Sequence, residues 1–213
     1  CVFDPPDTPS EPGSIGIEME WPIVTGTGLV LTLREEIVAF GTDATDSGVR
    51  LTLGATNDPS SSAATLMGVR WQIDYQNGGD DGPYFATVAC DPPAVTDLLT
   101  AEHELAPGEV LDFYRIQNNT GDPIFSNFTN TTEIAGFPDT GKPDRLVYGY
   151  WPGMVTDAWN HLTNEGDTSV DFDSAVHYWF GYDAANGIAL APGESFTRSV
   201  IIFTSGENVD CGG

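Results

Sequence analysis

The chain has 213 residues, of which 40% are hydrophobic and 18% are charged, and its formal net charge at pH 7 is -25. A surface this acidic repels nucleic acid and anionic lipid head groups, so neither is expected as a direct partner. No apolar run approaches the roughly 18 residues that a membrane-spanning helix needs.

The charge comes from 32 Asp and Glu residues set against 7 Lys and Arg residues. Lys142 is the single lysine. Replacement of lysine by carboxylates is typical of a halophilic protein, because molar salt shortens the screening length to about 3 Å and removes most of the self-repulsion. The alternative is an ordinary acidic surface protein of a marine or calcium-rich habitat.

The chain begins at Cys1, followed by a segment rich in Pro, Asp and Ser. A cysteine at this position is typical of a mature lipoprotein, in which a lipid on Cys1 is the chain's one link to a membrane. We therefore predict export to the cell surface or the extracellular space. The predicted organisation is a tether or donated segment over 1–13, a β-sandwich domain over 14–205 and a tail over 206–213.

Three cysteines leave the disulfide pairing open. If Cys1 carries lipid, Cys90 and Cys211 form the pair, as expected in an oxidising compartment. The alternative is a bond between Cys1 and Cys211, with Cys90 as a buried thiol.

Apolar residues alternate with small or polar ones in four runs, each of which can bury one face of a strand. The runs are Ile15/Ile17/Met19/Trp21, Leu29/Leu31/Leu33, Val49/Leu51/Leu53 and Val69/Trp71/Ile73/Tyr75. Clusters of Gly, Asn, Asp and Pro separate them. The fold class predicted is all-β: an antiparallel β-sandwich, either Ig-like or a larger two-sheet sandwich, with little helix. The one helix predicted is short and lies around Ala94–Leu105.

The segment Leu-Ala-Pro-Gly-Glu occurs twice, at 105–109 and 190–194, each time before a strand-like run. This pattern is typical of a turn that delivers the chain into a strand. The repetition leaves two possibilities open, namely two similar halves or chance recurrence of a common turn.

Asparagine sequons are concentrated in one Asn/Thr-rich stretch, at Asn118, Asn127 and Asn130. In an exported archaeal or eukaryotic chain they predict a glycosylated, exposed surface. In most bacteria they carry no meaning.

Aromatic residues gather at Tyr148, Tyr150 and Trp151, with Trp159 further on. Alternation places Tyr148 and Tyr150 on one face of a strand, which favours a core position. The alternatives are rings that stack on a sugar or contact another subunit.

Aspartates on turns are the candidate ligands for a metal ion, because calcium prefers several carboxylate and carbonyl oxygens. The candidates are Asp80, Asp81, Asp171 and Asp173. In a chain this acidic, such turns are also expected as plain solvated surface. Calcium is the one cofactor considered.

Catalytic motifs are missing from the sequence: it contains no Gly-x-Ser-x-Gly elbow, phosphate loop, dinucleotide fingerprint or His-Glu-x-x-His pattern. The three histidines, His103, His161 and His177, are far apart in the chain and are interpreted as structural. We therefore expect that the protein is not an enzyme.

The function predicted is that of a non-enzymatic extracellular structural protein, either a cell-surface lipoprotein or a subunit of an extracellular filament or layer. Its expected partners are copies of itself or other cell-surface components. One alternative is a carbohydrate-binding or adhesive β-sandwich module that binds glycans. The other is a polysaccharide-active enzyme with two carboxylates roughly 5 to 10 Å apart.

The charge predicts that salt stabilises the fold. We expect the midpoint of thermal unfolding to rise steadily between low ionic strength and molar NaCl, because screening removes repulsion among the carboxylates. Circular dichroism melts across a salt series measure this. A midpoint that does not change with salt would contradict the halophilic interpretation.

Overall fold

The computed structural model describes residues 15–26, 28–40, 48–76, 79–90, 93–106, 109, 113–117, 126–129, 143–156, 162–164, 166, 168–181, 185 and 187–204. These residues form fourteen strands and one short helix. The strands are β1 (Ile15–Val24), β2 (Val30–Phe40), β3 (Gly48–Asn57), β4 (Thr65–Met67), β5 (Val69–Asp74), β6 (Tyr84–Cys90), β7 (Pro93–Leu99), β8 (His103–Leu105), β9 (Phe113–Gln117), β10 (Ser126–Thr129), β11 (Arg145–Tyr150), β12 (Ser174–Phe180), β13 (Ile188–Leu190) and β14 (Ser195–Thr204). The helix, α1, spans Trp151–Thr156.

The chain divides into two compact units, and each is built from separated segments. The first unit comprises Cys1–Val69, Asn130–Gly141 and Phe180–Thr204. The second comprises Arg70–Thr129, Lys142–Trp179 and Ser205–Gly213. The predicted boundaries at 13/14 and 205/206 fall outside the described residues and stay predictions.

In the first unit, four strands lie in the order β1-β2-β3-β14 and are antiparallel throughout. Strands β4 and β13 form a separate antiparallel ribbon. The buried Asn57, at the end of β3, donates from its side-chain amide to the carbonyls of Ala63 and Leu190. This side chain therefore ties the end of β3 to the loop that contains Ala63 and to the end of β13.

The second unit contains two four-stranded arrangements, β10-β9-β6-β7 and β5-β12-β11-β8. Phe85 on β6 stacks on Tyr114 of β9 at 4.7 Å between ring centroids. It also stacks on Tyr148 of β11, in the other sheet, at 5.5 Å. Since aromatic rings from both sheets meet in one core, this unit is an antiparallel β-sandwich, and the predicted fold class is confirmed.

The four alternating runs of the sequence lie in β1, β2, β3 and β5, except that Leu29 and Tyr75 each lie one residue outside their strand. The buried face differs from the simple pattern in β1, where Trp21 is 44% exposed, and in β3. Val49, Leu51 and Leu53 are only half-buried, whereas Arg50 and Thr52 are buried. The Thr52 hydroxyl is hydrogen-bonded to that of Ser199 on the neighbouring β14, at 3.0 Å. β3 lies between β2 and β14, so its polar residues find partners on adjacent strands.

The predicted helix around Ala94–Leu105 is wrong, because this segment forms β7 and β8. β7 is an edge strand paired with β6, and an edge tolerates Pro93, which cannot donate to the ladder. The helix that does form, α1, was missed. Its second residue is Pro152, whose missing N–H costs nothing in a first helical turn.

The two Leu-Ala-Pro-Gly-Glu segments make the same pair of Ala–Glu hydrogen bonds. In the first, the Glu109 carboxylate accepts from the Ala106 N–H at 2.9 Å, and the Glu109 N–H donates to the Ala106 carbonyl at 3.0 Å. In the second, Glu194 and Ala191 make the same two bonds at 2.8 and 2.9 Å. A strand follows each segment, as the sequence predicts, and a short strand precedes each one.

Among the described residues, no helix has the length and the apolar character needed to span a bilayer.

Replacement of Phe85 by Ala tests the sandwich core. Phe85 is 1% exposed and contacts rings of both sheets, so we expect Phe85→Ala to lower the free energy of unfolding by about 3 to 5 kcal/mol. Chemical denaturation measures the change. The matched control is Phe172→Ala, which removes a ring that is 82% exposed and is expected to change stability by less than about 0.5 kcal/mol. Equal effects of the two variants would contradict this core.

Candidate functional site

Three aspartates of the second unit converge at one end of its β5-β12 strand pair. Asp74 is the last residue of β5, Asp81 lies in the loop that leads to β6, and Asp173 immediately precedes β12. One carboxylate oxygen from each lies within 4.8 Å of those of the other two. Because β5 and β12 are neighbours in the sheet, their ends bring these side chains together. We call this group the aspartate cluster.

Main-chain hydrogen bonds hold the aspartate cluster in place. The Ser174 N–H donates to the Asp81 carbonyl at 2.9 Å, which joins two members of the cluster through the backbone. The Asp173 N–H donates to the Val170 carbonyl at 3.3 Å. Gly82 allows the close approach, since a Cβ there would overlap the backbone of Val170 and Asp171. The carboxylates therefore stand on fixed backbone.

Buried side chains of the core also hold the loop that carries Asp81. The Pro83 carbonyl accepts hydrogen bonds from the Tyr148 hydroxyl at 3.0 Å and from the Ser174 hydroxyl at 2.9 Å. Both donors are buried. Two buried donors on one carbonyl leave the loop around Asp81 little freedom to move.

Two members of the cluster resist ionisation. Partial burial, followed by the charge of Asp81, raises the pKa of Asp74. Partial burial, followed by the charges of Asp74 and Asp81, raises the pKa of Asp173. The Oδ1 atom of Asp173 is buried and has no hydrogen-bond partner among the described residues. The cluster thus repels its own charge, and a bound proton or cation would relieve that repulsion.

The four predicted calcium ligands divide between two environments. Asp81 and Asp173 belong to the aspartate cluster, whereas the carboxylate of Asp80 accepts from the Gly82 N–H at 3.2 Å. Asp171 accepts from the Tyr84 hydroxyl at 2.7 Å, a bond that helps to raise the pKa of Tyr84 to about 12. Calcium binding itself stays a prediction.

Sequence reasoning missed Asp74 as a member of the cluster. Asp74 is hard to recognise as a ligand from the sequence, because it follows a run of alternating residues and looks like the polar end of a strand. Only the pairing of β5 with β12, which the sequence does not reveal, places it beside Asp173.

An exposed aromatic residue precedes Asp173 in the chain. Phe172 lies in the turn between Asp171 and Asp173, and its side chain is 82% exposed. The backbone of this turn is held on both sides, through Val170 and Ser174. Phe172 therefore offers a flat apolar surface on the turn that carries Asp173.

Most of the aromatic residues predicted as ligand or subunit contacts do not present their rings to solvent. Tyr148 is buried in the core and is 1% exposed. Tyr150 is half-buried at the end of β11, and Trp151 packs on a buried group formed by Val147, Met154, Ala175 and Trp179. Trp159 lies outside the described residues. The structure thus places Tyr148 and Trp151 against the protein interior.

The histidines show no catalytic arrangement where the structure describes them. His177 is buried in β12, with its ring edge-on to Trp179 at 6.0 Å between centroids. His103 is half-buried on β8. His161 lies outside the described residues.

The predicted covalent modifications stay predictions. Cys90 ends β6 and Asn127 lies in β10, while Cys1, Cys211, Asn118 and Asn130 all fall outside the described residues. Export of the chain, which was inferred partly from Cys1, likewise stays a prediction.

No protein-family model and no curated protein matches the sequence. Two solved structures resemble the fold. One is a galactose mutarotase related enzyme from Lactobacillus acidophilus, with 10% identity and a TM-score of 0.43 over 98% of this chain and 73% of that one. The other is a GalM/aldose epimerase homologue from C. elegans, with 11% identity and a TM-score of 0.46 over 97% of this chain and 69% of that one.

These neighbours contradict two predictions from the sequence. The chain was expected to be a non-enzymatic structural protein, such as a filament subunit or cell-surface lipoprotein, and not an enzyme. Both neighbours are instead named for sugar-epimerising enzymes or their relatives. Both expectations are therefore wrong, and the chemistry of this chain is argued from its own residues.

Replacement of Asp173 by Asn tests the repulsion within the cluster. A raised pKa means that the folded state holds the proton more tightly than the unfolded state, so the stability that protonation provides is lost as pH rises through the folded pKa. In chelator-treated protein we expect Asp173→Asn to be more stable than the natural chain at pH 7, by roughly 0.5 to 1 kcal/mol. The gain should vanish below about pH 3.

The control for this comparison is Asp97→Asn, which removes one exposed carboxylate from β7 that is not part of the cluster. This control shows how much stability the protein gains from the loss of any one negative charge. If denaturation curves at pH 7 show the same gain for both variants, the repulsion is not local to the cluster.

Proposed function

We propose that the protein is an enzyme acting on carbohydrate, with the aspartate cluster as its proton-transfer site. The observation that carries this proposal is the convergence of three carboxylate oxygens within 4.8 Å, two of them on groups whose pKa is raised. Carboxyl groups with separated protonation states are the usual acid and base pair of sugar chemistry.

The roles follow from the local environments. Asp173 is the least exposed of the three, and its pKa is raised by burial and by two neighbouring charges, so it is suited to hold a proton and donate it. An ionised neighbour, Asp74 or Asp81, is suited to accept a proton from a hydroxyl group. The proton leaves a sugar hydroxyl for one carboxylate as another carboxyl protonates a second sugar oxygen.

The short separation favours chemistry at the anomeric carbon, which carries two oxygens close together. Inverting glycosidases hold their carboxyl groups roughly 6.5 to 9.5 Å apart to leave room for a water molecule. In the aspartate cluster one oxygen of each carboxylate lies within 4.8 Å of the others, which is a closer arrangement. Interconversion of anomers, or attack by a carboxylate on that carbon, suits this spacing better.

Phe172 supports a sugar as the substrate. Its ring is exposed on the turn that carries Asp173, and planar rings of this kind stack on the apolar faces of sugars. The aspartates of the cluster would bind the hydroxyl groups of the same sugar.

Activity on simple sugars tests the proposal. We expect the protein to accelerate anomer interconversion of freshly dissolved aldoses, followed by NMR, or the hydrolysis of nitrophenyl glycosides. Asp173→Asn should reduce the rate by about 100-fold or more, since general acid–base catalysis contributes on that order, and Phe172→Ala should mainly raise KM. Asp97→Asn should keep full activity. Absence of activity across a broad panel of aldoses and glycosides, in folded protein, would refute the proposal.

A second candidate is a calcium site at the same cluster, favoured by the buried and unpartnered Oδ1 of Asp173. Calcium binds six to eight oxygens, of which three aspartates supply the charged part and water the remainder. A bound ion would relieve the repulsion that otherwise raises the pKa of Asp74 and Asp173.

Calcium titration separates the two candidates. If calcium is resident, thermal unfolding should shift upward with calcium concentration as ligand linkage requires, and Asp173→Asn should abolish the shift while Asp97→Asn keeps it. Calorimetry should give one site per chain. A shift of equal size in both variants would indicate general screening by the cation and would exclude this site.

A further inference from the structure

Glu102 is a buried carboxylate that serves as a main-chain acceptor. It is 4% exposed and lies between Ala101 and the start of β8. Its Oε2 accepts from the Asn164 N–H at 2.9 Å, and its Oε1 accepts from the Tyr150 N–H at 3.3 Å. One side chain therefore joins the end of β11 to the segment that leads to Asp173.

The backbone of the same residue holds that segment as well. The Glu102 N–H donates to the Thr168 carbonyl at 3.0 Å, and the Glu102 carbonyl accepts from the Gly166 N–H at 3.1 Å. An isolated β-bridge pairs Ala101 with Ser169. Glu102 thus makes contacts at three points along the described part of 162–170.

These contacts reach the aspartate cluster in two steps. The Val170 carbonyl accepts from the Asp173 N–H, so the position of Val170 sets that of Asp173. On the other side, the Asp173 carbonyl accepts from the Trp151 N–H at 3.3 Å, and Trp151 directly follows the Tyr150 that Glu102 holds. The backbone of Asp173 is therefore held from both directions by elements that Glu102 joins.

We infer that Glu102 is a positioning residue for Asp173: its carboxylate fixes the end of β11 and the 162–170 segment against each other and so sets the place of the Asp173 carboxyl in the cluster. Glu102 itself does not touch the cluster. The catalytic consequence rests on the proposed function, whereas the structural consequence does not.

Two variants and one control test this inference. Glu102→Gln keeps the length of the side chain but sets an amide NH2 against one of the two N–H donors, so one anchor is lost. Glu102→Ala removes both anchors and leaves two donors without their acceptor. The control is Glu104→Gln, which lies two residues away and is bonded to Arg145.

The first readout does not depend on activity. We expect amide hydrogen exchange at Asn164 or Tyr150 to become about tenfold faster in Glu102→Gln, as expected for loss of one hydrogen bond, and faster at both sites in Glu102→Ala. The NMR titration midpoint of the Asp173 carboxyl should shift in both variants. Glu104→Gln should change none of these values.

The second readout is kinetic. If the proposed activity is present in the natural chain, Glu102→Gln should lower kcat at least about tenfold, because misplacement of a catalytic group by about 1 Å costs up to a hundredfold, with a smaller effect on KM. Unchanged exchange and an unchanged Asp173 titration in a folded Glu102→Gln variant would overturn the inference. Altered exchange and titration in a chain with no activity on sugars would keep the inference and refute the proposed function.

Discussion

The stacking of Phe85 between Tyr114 and Tyr148 is the contact on which the second unit depends. It joins the two sheets, and the same Tyr148 directs its hydroxyl to the Pro83 carbonyl. That carbonyl belongs to the loop that carries Asp81, so the core and the aspartate cluster share one side chain. The position of the cluster is therefore a consequence of how the sandwich packs, and damage to the core would be expected to disturb the carboxylates before the strands separate.

Strand positions and turn chemistry could be predicted from the sequence because both are local. The alternation from Val69 to Tyr75 and the paired Leu-Ala-Pro-Gly-Glu segments each depend on residues close together in the chain, and the structure bears them out. The helix predicted around Ala94–Leu105 was wrong for a related reason. Its apolar spacing fits a helix and a strand about equally, and pairing with β6 decided between them.

The candidate site could be predicted only in part, since it depends on which strands are neighbours. Asp81 and Asp173 stand on turns and were visible as possible ligands, but Asp74 follows a strand and acquires its role from the pairing of β5 with β12. The dependence on strand neighbours also explains why the burial of Arg50 and Thr52 could not be predicted. Alternation places them on the solvent face, yet both are buried in a strand with a neighbour on each side. Partners distant in the chain decide which polar residues become buried.

Negative charge is in excess both on the surface of the protein and within the aspartate cluster. The two places differ in how well salt can screen it. Molar salt shortens the screening length to about 3 Å, which relieves repulsion between carboxylates spread over the surface. In the aspartate cluster three carboxylate oxygens lie within 4.8 Å of one another and Asp173 is half-buried, and partly buried charges are screened less by salt than exposed ones. A localised positive charge therefore relieves the repulsion there more directly than bulk salt does. Under the proposed function that charge is a proton and the cluster is an acid and base pair, whereas under the calcium alternative it is a divalent cation and the cluster is a binding site.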